Sequence, residues 1–188
     1  MFTPSDFILK PEYFDHSGSL HGMEHTYRVM TMVYLLGEEL KLGKKRDLAF
    51  MAAFIHDMAR KHDGFCMHHG KWAAKSKLPL FSDLFINNGA ANSDLDEIAF
   101  AVKNHSLYLH PGKSHPYYTT LALLKDADAL DRIRISADDL NPDYLRFKIS
   151  HSFIKTSEKL YYSTKHLKEM HPLELIETVK SIRDMELG

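Results

Sequence analysis

The chain has few of the features expected of a secreted or membrane-embedded protein. Cys66 is the one cysteine among 188 residues, which excludes an intramolecular disulfide and fits a reducing compartment. No stretch approaches the roughly 18 consecutive apolar residues that a membrane-spanning helix needs. The first ten residues lack the basic start and long apolar run of a signal peptide. We therefore expect a cytoplasmic protein that does not enter a membrane.

An excess of charge of one sign is also missing. Lysine and arginine number 24 against 25 aspartates and glutamates, giving a net charge of −1 with histidine neutral. Nucleic-acid-binding domains usually carry a strongly basic surface, so no nucleic-acid partner is expected. The chain has no internal repeat and no low-complexity linker, and its length suits one domain. We predict a single domain over residues 1–188.

Alternating β patterns are scarce, whereas helical periodicity covers most of the chain. The periodicity predicts helices over residues 21–42, 44–60, 69–77, 93–108, 117–133, 151–167 and 172–186. Gly43 ends the first helix, and Pro79 follows the end of the third. The predicted fold class is all-α. The pattern is weaker after residue 135, and residues 136–188 receive no functional assignment.

The chain is rich in histidine, with 13 residues spread along its length. Placed on the predicted helices, four polar residues share a face with apolar neighbours and point to the core: His25, His56, Asp57 and Asp128. One inward histidine alone is more often a satisfied core residue, and one inward aspartate an ion-pair partner. Four together are costly to bury unless a cation joins them. Nitrogen and carboxylate ligands suit Mn, Fe, Co, Ni or Zn.

Three segments resemble the HD superfamily, whose signature is a histidine, then a His-Asp doublet, then a late aspartate. They are HGMEHTYRV (21–29), AAFIHDMAR (52–60) and KDADALDR (125–132), within a motif-bearing core of about residues 20–135. The resemblance implies a compact helical bundle in which His25, His56, Asp57 and Asp128 bind a divalent metal. Asp126 is then structural. Most members are phosphohydrolases acting on nucleotides, and a minority are di-iron oxygenases.

Many members with two metals add two histidines between the doublet and the late aspartate. Here His69 and His105 lie on apolar faces of their predicted helices, and we predict that they bind a second ion with Asp57 as the bridge. Two ions about 3.5–4 Å apart could hold a hydroxide and the phosphate oxygens. With one ion only, both histidines would contact the phosphate instead.

Five further residues are candidates for catalysis or substrate binding. Arg60, Lys61 and Arg132 are the cations closest in sequence to the ligands, and could bind phosphate or be solvated helix-end residues. His21 could orient a ligand, and His62 could donate a proton to the leaving group. Separately, Arg28 is expected to form a structural ion pair with an acid such as Asp131.

The sequence thus predicts a phosphohydrolase that cleaves a phosphomonoester or phosphodiester, a small substrate expected to be a nucleotide, with a metal-activated hydroxide. Arg60 stands where relatives that cleave deoxynucleoside monophosphates carry an acid. Arg60-Lys61 replaces the Glu-Asp pair of guanosine alarmone hydrolases, and the Gly-Tyr-Pro triplet of cyclic-di-GMP hydrolases is missing. The alternatives are a dinuclear iron oxygenase on the same fold and a metal-binding regulatory module without turnover.

Overall fold

The computed structural model of the chain describes residues 1–18, 20–108, 111–136, 138–165 and 170–187. The α-helices in this part of the chain are α1 (Met23–Glu39), α2 (Lys44–Ile55), α3 (His69–Ser76), α4 (Leu78–Asn87), α5 (Asp94–His105), α6 (Tyr118–Leu130), α7 (Ile154–Thr164) and α8 (Pro172–Leu187). Short 3₁₀ helices include Asp131–Arg134, directly after α6, and Lys148–Phe153, directly before α7. These residues contain no β-strand, so the prediction of an all-α fold is confirmed.

Helix α2 lies at the centre of the bundle, packed against α1, α5 and α6. Every residue from Leu48 to Ile55 is buried, as expected for a helix surrounded by protein on all sides. Three of these residues are alanines, Ala49, Ala52 and Ala53, whose small side chains allow neighbouring helices to approach closely. The His-Asp doublet follows this helix directly, which places both residues inside the molecule.

An aromatic cluster fixes the N-terminal segment to the bundle. The ring of Phe7 lies 5.3 Å from that of Phe50 and 5.4 Å from that of Phe54, both edge to face. Phe7 also stacks on Phe85 of α4 at 6.1 Å. All four rings are fully buried, so the N-terminal segment and α4 share one core with α2.

The C-terminal helices complete that core. Helices α7 and α8 both pack against α1, and Phe153, Leu160 and Val179 are fully buried. Helices α7 and α8, in the region unassigned from the sequence, therefore cover a face of α1 that would otherwise be exposed. That the whole chain forms one domain stays a prediction.

Several helix boundaries differ from the predicted ones, among them the end of α6, which stops at Leu130 and is followed by a 3₁₀ helix. Helix α2 ends at Ile55 rather than at residue 60, and the chain leaves it by a tighter turn in which Met58 N donates to Ile55 O. Helix α4 was not predicted: Pro79 occupies its first turn, where proline is tolerated. The helix predicted over 151–167 begins as a 3₁₀ helix, and its residues 166 and 167 lie outside the described residues. None of the described helices is long and apolar enough to cross a lipid bilayer.

Candidate metal centre

Three helices bring the four predicted ligands together. His25 lies in the first turn of α1, His56 caps α2 with Asp57 next to it, and Asp128 lies in the last turn of α6. His25 Nε2 is 3.2 Å from His56 Nε2, 3.5 Å from Asp57 Oδ2 and 3.4 Å from Asp128 Oδ1. Both histidines are fully buried, whereas the Asp128 side chain is 28% exposed. The donor atoms thus converge on one point that is open on the Asp128 side.

The other ring nitrogen of each histidine has its own partner. His25 Nδ1 donates to Asp131 Oδ2 at 2.7 Å, and His56 Nδ1 donates to Ala53 O at 2.6 Å. These hydrogen bonds fix the orientation of both rings and aim Nε2 at the cluster, as is usual for metal-binding histidines.

A second pair of histidines lies on the other side of Asp57. His69 Nε2 and His105 Nε2 are 2.9 Å apart, at 3.0 Å and 3.6 Å from Asp57 Oδ1. Each ring again donates from Nδ1 to a carbonyl oxygen, Cys66 O for His69 and Val102 O for His105. Gly70 allows this approach, because a Cβ there would collide with the Val102 carbonyl.

The two pairs fit a divalent ion on physical grounds. With both Nδ1 protons already donated, two neutral imidazoles 2.9 Å apart cannot hydrogen-bond to each other. Their close approach becomes favourable when a cation lies where both Nε2 lone pairs point. Within the described residues, His25 with His56 and Asp128, and His56 with Asp57 and His105, have ligand atoms within 4.8 Å of one another.

The pKa values show how strongly these groups interact. Burial is the main cause that lowers the pKa of His56 to about 3, and repulsion from the positive charge of protonated His25 acts in the same direction. Burial lowers the pKa of His69 as well. Burial would raise the pKa of Asp57, but His56 and the hydrogen bonds from neighbouring histidines hold it well below its usual value. Asp57 therefore stays ionised and can accept a cation.

His25 behaves differently from His56. Burial and the Arg134 guanidinium act to lower the pKa of His25. The carboxylates of Asp128, Asp131 and Asp57 outweigh both, and the pKa rises to about 9. Without a metal, His25 therefore holds a proton at neutral pH, and this proton occupies the position that a metal would take.

Two of the predicted accessory residues contact Asp57. His21 Nδ1 lies 2.9 Å from Asp57 Oδ2, and Arg60 Nε donates to Asp57 Oδ1 at 3.1 Å. A second nitrogen of Arg60, Nη1, donates to Gly64 O, so that Arg60 also holds the loop after the doublet. Both residues can therefore influence the central carboxylate.

The other three accessory residues lie away from the cluster, and their roles in catalysis or substrate binding stay predictions. Lys61 Nζ is paired with Asp15 Oδ2 at 2.8 Å, on a side chain 57% exposed. Arg132 is paired with Asp139 at 2.5 Å and is also largely exposed. His62 is exposed in its loop. In the described part of the chain, no contact joins these side chains to the cluster, because the turns that carry them face solvent.

Arg134 was not predicted as a site residue, yet it lies at the cluster. Its Nη2 lies 3.2 Å from His21 Nδ1 and 3.9 Å from Asp128 Oδ1, and its Nε donates to Leu20 O. The 3₁₀ turn after α6 points Arg134 inward and Arg132 outward, which a continuous helix to residue 133 did not predict. The signal was present in the spacing of three from Asp128 to Asp131 and from Asp131 to Arg134.

The predicted ion pair of Arg28 and Asp131 forms, and the same carboxylate also holds His25. Arg28 donates to both carboxylate oxygens of Asp131, from Nε at 2.6 Å and from Nη2 at 3.0 Å. The same carboxylate accepts from His25 Nδ1. Asp131 thus orients a predicted metal ligand while Arg28 orients Asp131.

Comparison with known proteins gives one match. A family model described as the HD domain matches residues 22–133, a span that includes all four predicted ligands and both additional histidines. No curated protein and no solved structure matches the chain.

Proposed function

Because the chain belongs to the HD-domain family, a superfamily of metal-dependent phosphohydrolases, we propose that it hydrolyses a phosphomonoester or phosphodiester. We propose a nucleotide as the substrate and water as the second reactant. The substrate is a small molecule, in keeping with the nearly balanced charge of the chain.

The observation that carries the proposal is the position of Asp57 between two histidine pairs. Its Oδ2 faces His25 and His56, and its Oδ1 faces His69 and His105. A carboxylate with a different partner on each oxygen can serve as a ligand common to two ions. His25, His56, Asp57 and Asp128 would hold the first ion, and Asp57, His69 and His105 the second. A divalent ion there would lower the pKa of water and offset charge on phosphate.

Two cationic side chains, Arg134 and Lys125, lie near the open side of the cluster. Arg134 lies against Asp128, the most exposed of the four predicted ligands. Lys125, one turn before Asp128 on α6, donates to Leu107 O. Burial, with Arg146, lowers the pKa of Lys125 to about 8, so that it remains largely protonated at neutral pH. Guanidinium and ammonium groups at these positions can bind phosphate oxygens and offset the charge of the transition state.

Phosphate release tests the proposal. Purified protein with Mn²⁺ is incubated with nucleotide monoesters, diesters and dinucleoside polyphosphates, and product is measured. We expect turnover of at least one substrate. In the isosteric variant Asp57→Asn the rate should fall by more than about a hundredfold, which is more than is usual for a residue that only hydrogen-bonds to a metal ligand. Asp96→Asn, exposed in the first turn of α5, is the control and should retain activity.

Absence of turnover with Mn²⁺, Fe²⁺, Co²⁺ and Ni²⁺, in protein shown to contain metal, would contradict the proposal. Oxygen consumption by the iron-loaded protein would then favour the dinuclear oxygenase. Absence of both activities would favour a regulatory module.

A further inference from the structure

A cavity of about 510 Å³ lies beside the metal cluster. Its walls are the N-terminal segment, the first turns of α1, the 3₁₀ turn after α6, and α7. None of the four predicted metal ligands lines it. Its volume is in the range of pockets that bind small organic molecules.

The first turn of α1 separates the cavity from the cluster. His21 and His25 turn toward Asp57, whereas Gly22, Met23 and Glu24 line the cavity. Gly22 has no room for a side chain, because a Cβ would lie 2.9 Å from the Gly18 carbonyl oxygen. One turn of helix backbone therefore forms the partition that separates the cavity from the cluster.

Arg134 belongs to both sides of this partition. It lines the cavity, and its Nη2 lies 3.2 Å from His21 Nδ1 and 3.9 Å from Asp128 Oδ1. Only 5% of its side chain is exposed, so its position is fixed by its partners. A molecule that occupies the cavity and contacts Arg134 is thus adjacent to the most exposed predicted metal ligand.

Positive charge dominates the rest of the lining. Arg28 and Lys165 add two cations, and Glu24 is the one carboxylate among the lining residues. Arg28 uses Nε and Nη2 for Asp131, and its Nη1 has no hydrogen-bond partner among the described residues. Arg28 also lies over the ring of Tyr161 at 5.2 Å, so an aromatic surface adjoins this nitrogen. Phe14, Leu20 and Met23 provide apolar walls.

We propose that this cavity is the subsite for the organic part of the phosphate ester. A flat ring would lie against Tyr161, with hydrogen-bond acceptors toward Arg28 Nη1 and Lys165 and the phosphate beside Arg134. The proposal rests on the phosphohydrolase function proposed above, because it assigns the cavity to the same substrate. It places substrate selection in α7 and the N-terminal segment, outside the metal-binding helices.

Binding measurements on metal-free protein test the subsite, because any contribution of a metal to phosphate binding is then removed. The probes are adenosine, guanosine and uridine 5′-monophosphates and glucose 6-phosphate, with inorganic phosphate as the probe that lacks an organic group. Calorimetry should show at least one organic phosphate binding roughly tenfold more tightly than inorganic phosphate.

Two variants test whether the organic phosphate binds in this cavity. Met23→Trp fills the cavity, and Lys165→Glu reverses an exposed charge at its wall without disturbing the core. Each should weaken the selected organic phosphate about tenfold, with inorganic phosphate unchanged. Lys155→Glu, an exposed residue of α7 that does not line the cavity, is the matched control and should change neither affinity.

Equal affinity for organic and inorganic phosphate would overturn the subsite, as would unchanged binding in Lys165→Glu and in folded Met23→Trp. Binding with no hydrolysis by the metal-loaded protein would contradict the phosphohydrolase function and leave the subsite in place. Hydrolysis with the same KM in all three variants would contradict the subsite and leave the phosphohydrolase function in place.

Discussion

Asp57 is in contact with more functional side chains than any other residue described above. Four histidines and Arg60 lie within 3.7 Å of its two oxygens, in addition to the adjacent ring of His56. A buried carboxylate with one partner would be costly, whereas this one is held ionised by all of its neighbours. The protein therefore presents a permanent negative charge at the point where its helices meet.

The contribution of the second histidine pair can be measured with two neighbouring residues. His69 is buried beside Asp57, and His68 is exposed at the start of the same helix. His69→Ala should reduce the bound metal from two ions to one and lower phosphate release by about tenfold or more. His68→Ala should leave both unchanged.

Elemental analysis of the purified variants gives the stoichiometry. An equal metal content in wild-type protein and His69→Ala would contradict the assignment of a second ion. His69 and His105 would then remain candidates for contacts to the phosphate.

At the scale of elements, helix α6 carries two inward aspartates with different tasks. Asp128 faces the candidate metal centre, whereas Asp126 is fully buried on the opposite side. Asp126 accepts hydrogen bonds from the backbone of Arg146 and Phe147 and from the Ser150 hydroxyl. It therefore attaches the segment before α7 to the metal-binding helix, in agreement with its predicted structural role.

Removal of this attachment should destabilise the fold. We expect Asp126→Ala to lower the free energy of unfolding by roughly 3 kcal/mol, because two part-buried backbone donors, the buried Ser150 hydroxyl and the Arg146 guanidinium lose their acceptor. Urea unfolding followed by circular dichroism measures the change. Asp83→Ala, exposed on α4, should have an effect within about 0.5 kcal/mol. A loss under about 1 kcal/mol for Asp126→Ala would show that the attachment is not needed.

The elements also explain which parts of the site were predictable. Helical spacing placed His25, His56 and Asp128 on apolar faces, and their convergence follows once those faces meet in one core. Arg134 and Arg132 could not be assigned in this way, because a change from α to 3₁₀ geometry after Leu130 rotates both side chains. Lys61 lies away from the cluster for a related reason: α2 ends five residues before its predicted end.

Helix α4 and the N-terminal segment show a second limit of the sequence. Pro79 was interpreted as the end of one helix, but it also begins the next. Phe7 precedes α1, outside every predicted helix, yet it is a central core residue through its contacts with Phe50 and Phe85. Long-range aromatic packing of this kind has no local periodicity by which it could be predicted.

At the scale of the whole molecule, the predicted ligands join helices that are far apart in sequence. His25 and Asp128 are on α1 and α6, and His69 and His105 are on α3 and α5. Ions held by these groups would be bound by the folded state alone, since the unfolded chain cannot hold the groups together.

Metal removal should therefore lower the Tm. At a metal concentration about 100 times Kd, binding stabilises the fold by about 2.7 kcal/mol, which corresponds to roughly 5–10 °C for a chain of this size. Scanning calorimetry before and after chelation measures the difference. The same treatment of Asp57→Asn should change its Tm by much less, and an unchanged Tm in the wild-type protein would contradict metal binding.

The size of this shift should depend on pH. In the metal-free protein His25 has a pKa raised to about 9, so its proton stabilises the fold below about pH 6.5 and this contribution is lost as pH rises toward 9. A metal displaces the same proton. The gain in Tm on adding metal should consequently increase between pH 6.5 and 9.

The position of Asp57 would have a consequence for how the two proposed ions are taken up. An ion on one oxygen would alter the charge and orientation that the other oxygen offers, so the two binding events would be coupled by a common free energy. Thermodynamic reciprocity would then require each ion to change the affinity of the other by the same factor. Occupancy of the His69–His105 half would consequently depend on which metal fills the His25–His56 half.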